Sequence, residues 1–456
     1  MAMKLQHMIM CIVAGGVAVQ AAWGASSDQS PPPPPPGNGM PMPPPGGMGP
    51  GGMPPPPQAK SYKLRGLVTV GAGKHLAEKA RKYVSGKDDT SAVYVKDGGE
   101  AELDSARIET HGNTSSDENS SFFGLNAGVL VTAGSSARVT DAYIVTTGRG
   151  ANGLFATGRG ARLVMHGGDV VASGDGGHGV MTSLDGEAVI EDVRMRTSGA
   201  HGAPIATDRG GGRVSVRGGT FLASGEGSPG IYSTGDIQVQ GAVIKASGSE
   251  AAVIEGQNSI DLTDTRLSGA RLAGVMIYQS FSGDAQGHQG TFRMRGGSLM
   301  AEEGPVFFVT NAAARIELDG VQVAGASGLL VKAGPARWGQ QGSNGGEAYL
   351  LVRHQTLQGD LLAESGSSVI LQMESDSRLK GRIDGGSLEL DASSQWEVTG
   401  PSRLQGFKDA VSAVDGAIPN VIGNGYTVHY DASSTANAGL AGKTYRLAAG
   451  GVLTPD

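Results

Sequence analysis

Five times in this chain a glycine opens the same short apolar run: Gly128-Val129-Leu130-Val131-Thr132, Gly153-Leu154-Phe155-Ala156-Thr157, Gly179-Val180-Met181-Thr182-Ser183, Gly230-Ile231-Tyr232-Ser233-Thr234 and Gly274-Val275-Met276-Ile277-Tyr278. Taking the first apolar residue of each copy as an anchor yields the column Val93, Val129, Leu154, Val180, Ile205, Ile231, Val253, Val275, Val306 and Leu329, spaced by 36, 25, 26, 25, 26, 22, 22, 31 and 23 residues. A repeat of this length cannot enclose a core of its own, so the copies must stack into a solenoid.

Each copy carries three apolar alternations separated by turn residues. Residues 152–176 read Leu154-Phe155-Ala156, Arg162-Leu163-Val164 and Val170-Val171-Ala172, divided by Thr157-Gly158-Arg159-Gly160 and His166-Gly167-Gly168-Asp169. Three short period-two strands per repeat, with tight turns between, predict an all-β, three-sided right-handed parallel β-helix, the architecture of pectin-lyase-like solenoids. The right hand follows from the general preference of parallel crossovers. At ~4.8 Å per coil the anchors and some later coils predict a rod about 60 Å long.

Glycine at 76 of 456 residues suits closely stacked turns, while persistent apolar patterning after Leu67 excludes a collagen or disordered chain. The formal net charge of -7 offers no domain-wide basic surface, so nucleic acid is not an expected partner.

Lys4, an apolar run over residues 8–22 and Ala22-Trp23-Gly24 before Ala25 have the form of a Sec signal peptide over residues 1–25. That run is short and interrupted, and no other stretch is apolar enough for a transmembrane segment. The only cysteine, Cys11, falls inside the leader, so no disulfide is expected in the mature protein. Residues 26–60 are read as a linker; its span 31–57 holds 15 Pro, 7 Gly, 4 Met and one Asn, a semi-rigid polyproline spacer. Residues 61–89 form a basic N-terminal cap, with a short helix expected over 75–83, and residues 90–456 the β-helix with irregular C-terminal coils. The basic collar is read as the cover of an open sheet edge, with an anionic envelope surface as the alternative. No metal or other cofactor is expected.

Several stretches carry a resemblance: Asp117-Glu118-Asn119-Ser120-Ser121-Phe122-Phe123-Gly124-Leu125-Asn126, Thr207-Asp208-Arg209-Gly210-Gly211-Gly212, Ser228-Pro229-Gly230-Ile231-Tyr232-Ser233-Thr234-Gly235-Asp236 and Gly425-Tyr426-Thr427-Val428-His429-Tyr430-Asp431. The chain resembles a largely uncharacterised family of secreted bacterial right-handed parallel β-helix proteins. More distantly it is similar to pertactin-type autotransporter passenger domains, whose late coils Ser394-Gln395-Trp396-Glu397-Val398-Thr399-Gly400 echo. The resemblance implies surface display and adhesion to a glycan or protein ligand, with secretion to the surface or medium expected over retention in the periplasm. The sequence departs from the autotransporter pattern at Leu453-Thr454-Pro455-Asp456, where no series of amphipathic barrel strands stands, so another export route is expected.

The alternative is an enzyme, a β-helix lyase or glycoside hydrolase acting on acidic polysaccharide. Polygalacturonase-like motifs are not assembled: Asp88-Asp89 precedes the first expected coil, and Gly177-His178-Gly179 reads as a turn. One constellation remains. Two residues beyond its anchor, Glu255 falls in an inward column and needs a partner; Asp208 and Arg209 leave the strand two coils below, and Tyr278 leaves it one coil above. These four would form either a sugar-binding or catalytic groove or a polar ladder closing the corner. Interruptions over residues 111–123, 279–290 and 333–346 lengthen three coils, and place Tyr278, Phe281, His288 and Trp338 as ligand-binding candidates. Phe122 and Phe123 would equally serve to cover the rod's flank.

Overall fold

The computed structural model describes residues 63–281, 289–411 and 413–456. The expected leader and linker and the ligand candidate His288 lie outside the described residues. From Arg65 onward the chain winds as a right-handed parallel β-helix of about 15 turns, roughly 70 Å at ~4.8 Å per turn. A representative turn comprises Leu154–Thr157, Arg162–His166 and Asp169–Ala172. Each strand pairs in parallel with its counterparts on either side: Leu154 with Val129 and Val180, Leu163 with Ala137 and Ala188, Val170 with Ile144 and Met195.

Alternate residues of all three strands point inward and stack into one apolar core running from Val70 to Leu453. Leu163, Met165 and Val170 are completely buried. Trp396 fills the late, less regular turns, and its Nε1 donates to the Gly381 carbonyl at 2.9 Å. The glycine excess has a specific cause. Gly148, Gly174, Gly199, Gly225 and Gly248 stack at the corner after the third strand, where a Cβ on Gly174 would collide with the Gly148 carbonyl below it. Backbone stands on both sides of that contact, so nothing flexible can move aside.

Two expectations are corrected. Residues 75–83 form no helix but the strands His75–Lys79 and Lys82–Ser85, joined at Ala80 with φ 52°. Leu76 packs against the core, Tyr83 is buried, and pairing of His75–Lys79 with Glu100–Asp104 overrides the helix propensity of Leu, Ala, Glu and Lys. With Arg65–Val70, which pairs with Thr90–Val95, these strands make a complete first turn, so the basic cap is itself part of the solenoid.

The second correction concerns register. Ile231 pairs with Ala252, which pairs with Val275, followed by Phe307 and Val331. Val253, Val306 and Leu329 are therefore not members of the inward column. Alternation misleads here because Ala252 and Val253 are both completely buried: the outer face of this sheet is covered too. At Leu329 a bulge separates the strand start from Val331. Among the described residues no helix is long and apolar enough to cross a membrane.

Candidate functional site

The first strands of successive turns form a sheet whose outer face carries a second apolar cluster: Tyr94, Leu130, Phe155, Met181, Ala206, Tyr232, Val253 and Tyr278. Part of its cover is the helix Asp117–Phe123. Ser116 caps it, accepting from the Asn119 backbone N–H at 3.3 Å; Asp117 and Glu118 stand in its first turn; Gly124 ends it in the left-handed region at φ 74°. The Phe122 carbonyl accepts from Thr157 Oγ1 at 3.1 Å and Ser183 Oγ at 2.7 Å, which docks the helix on the outward positions of two strands. Phe122 is buried, as the flank-covering reading expects.

Glu255 is not in an inward column. It pairs with Tyr278 on the outer face, in the register of the strand that begins at Ala252. It is nonetheless only 1% exposed. Its Oε2 accepts from Tyr232 Oη at 2.6 Å and Tyr278 Oη at 3.0 Å, and its Oε1 accepts from Ser280 Oγ. Three hydroxyl donors offset the desolvation of the carboxyl group. Burial first, and then the charge of Glu255, hold both tyrosine hydroxyls well above their usual range, so both stay protonated at neutral pH.

Asp208 is buried and acts electrostatically on Tyr232, accepting the Arg209 backbone N–H at 2.7 Å. The Arg209 guanidinium lies 4.0 Å over the Phe122 ring and 3.7 Å from Glu118 Oε1 of the helix. Asp208, Glu255 and Tyr278 thus share the outward face, and the arginine also reaches the docked helix. Tyr232 and Ser280 were not foreseen. An anchor at Val253 turns Glu255 to the opposite side of the sheet from Tyr232, whereas Ala252 as the anchor sets the two on one face.

The loop candidates converge. Trp338 lies 5.3 Å from Tyr278 between ring centroids, inclined by 39°, and Phe281 lies 6.1 Å from Trp338, inclined by 55°. Asn344 fixes the loop by donating to the Ala336 and Trp338 carbonyls at 2.6 and 2.7 Å, and Asn311 donates to the Gln279 carbonyl at 2.8 Å. Phe281 is 62% exposed, the highest value among the exposed large apolar side chains of the described residues. A shallow depression of about 460 Å³ is bordered by three glycines and by the hydrogen-bonding side chains of Asp236, Gln257, Asn258, Ser259, Gln289 and Thr291.

The Gly177-His178-Gly179 motif sits at another corner. His178 is buried, its backbone N–H and Nδ1 both reach Asn152 Oδ1, at 2.9 and 3.0 Å, and burial pushes the imidazole down to about 4. Asn152 occupies the equivalent place one turn earlier, two residues before Leu154 as His178 is two before Val180. This is a ladder rung of the scaffold.

Compared with known proteins, the chain matches no family model, no curated protein and no solved structure.

Proposed function

We propose that this chain is an exported, non-catalytic rod of the cell surface or its surroundings that binds a glycan of host, matrix or envelope origin. The carrying observation is the meeting of two separate coil interruptions at Tyr278, where Trp338 and Phe281 form an aromatic surface on a rigid sheet. Sugar rings stack on such rings because their axial C–H faces are apolar, and the amide- and hydroxyl-bearing depression at Gln257, Asn258 and Gln289 suits sugar hydroxyls. A catalytic reading is less well supported. The Glu255 carboxyl is engaged by three hydroxyls, and two of those belong to tyrosines held protonated. A general acid or base needs lone pairs or protons facing the substrate. Export rests on Lys4, the apolar run and Ala22-Trp23-Gly24, and on the resemblance to secreted β-helix proteins.

The test is binding of the full chain to immobilised glycans, beside Trp338→Ala and Phe281→Ala. Loss of binding in both variants is expected. Undiminished binding by both would remove the aromatic surface from the function.

A further inference from the structure

Arg337 precedes Trp338, and its guanidinium lies 4.4 Å over that indole ring. Among the described residues it has no ion pair, whereas Lys332, five residues earlier, holds Glu364 at 2.9 Å. Among the described residues no carboxylate acts on Arg337; burial lowers its pKa, with Tyr278 acting in the opposite direction. A guanidinium held over an aromatic ring without a carboxylate partner keeps its planar fork of N–H donors for a ligand, and that fork matches a carboxylate or sulfate in bidentate fashion.

From this arrangement we propose that the Phe281–Trp338 surface selects anionic glycans, with Arg337 taking a uronate carboxylate or sugar sulfate while the ring next to it stacks on an aromatic side chain. This rests on the glycan-binding reading above and names the ligand's charge class. The formal charge of -7 for the whole chain supplies no attractive field for a polyanion, so the discrimination has to be made at short range, by this one contact.

Affinity electrophoresis of the full chain through gels containing polygalacturonate, its highly methyl-esterified form, a sulfated glycosaminoglycan or a neutral galactan separates the possibilities. The native protein is retarded by at least one of the two anionic polymers roughly tenfold more strongly than by the esterified or neutral ones. Arg337→Gln removes that preference and leaves the residual neutral binding; Phe281→Ala, at an exposed position that the fold does not need, weakens binding to every polymer. Equal retardation by charged and neutral polymers overturns the charge assignment alone, as does an unchanged preference in Arg337→Gln. No retardation by any of the four overturns the glycan-binding reading with it.

Discussion

Lowering the pH should destabilise the rod through His178 by an amount the structure allows to be worked out. In the unfolded chain this imidazole titrates near 6.5, and burial lowers it to about 4 in the folded protein. Between those values the unfolded state binds a proton that the folded state does not, so stability falls as pH falls through 6.5 and levels off below about 4. A depression from 6.5 to about 4 corresponds to about 3 kcal/mol at ~1.36 kcal/mol per unit, of which about 2 kcal/mol is lost by pH 5. The perturbation that isolates it is His178→Asn, since Asn152 already fills the equivalent rung and does not titrate. Urea unfolding of native and variant protein at several pH values between 7.5 and 4 gives the difference, in which the other titrating groups cancel. The native protein loses about 3 kcal/mol more than the variant over that range. Parallel pH profiles would refute the buried, neutral His178 and the ladder built on it.

Gly174→Ala places a methyl group against the Gly148 carbonyl; we expect a loss of about 2 to 4 kcal/mol in urea unfolding, with a smaller effect for Gly134→Ala, where the structure leaves open space but the positive φ of 70° is strained. Ile231→Asp buries an unpaired charge in the core and should lower stability by several kcal/mol or prevent folding, read by circular dichroism and melting. Glu255→Gln keeps volume but weakens the hydroxyl contacts of Tyr232, Tyr278 and Ser280, costing about 1 to 3 kcal/mol while glycan binding persists; lost binding at full stability would instead make Glu255 a binding group. Terminal sequencing of exported protein should read from Ala25 or Ser26, and an intact Met1 or Ala2 would contradict the leader.

The solenoid was legible because its signal is steric and repeated. Leu163, Val170 and their stacked counterparts alternate with less buried neighbours, so period two survives in the sequence. Where a strand is covered on both faces the alternation vanishes, and at Ala252-Val253 that shifted the anchor by one and sent Glu255 to the wrong face. The partners of Glu255 were legible only in part: Tyr278 followed from chain proximity in the next turn, whereas Tyr232 reaches it diagonally and depends on the register. Residues 75–79 misled by composition, because pairing to Glu100–Asp104 outweighs the small propensity differences that favoured a helix. Tyr278, Phe281 and Trp338 lie in or beside interruptions of the repeat, and loops inserted at nearby turns of a coil have little choice but to meet on its flank.

The most direct test of a binding rod is to incubate the full chain with the anionic and neutral polysaccharides to which it binds, and to assay new reducing ends and unsaturated sugar products over a long time course. The account predicts retention of the polymers at unchanged length, with retention abolished by Trp338→Ala. Accumulating cleavage products that disappear in Glu255→Gln or Asp208→Asn would contradict it and make the outer face an active site.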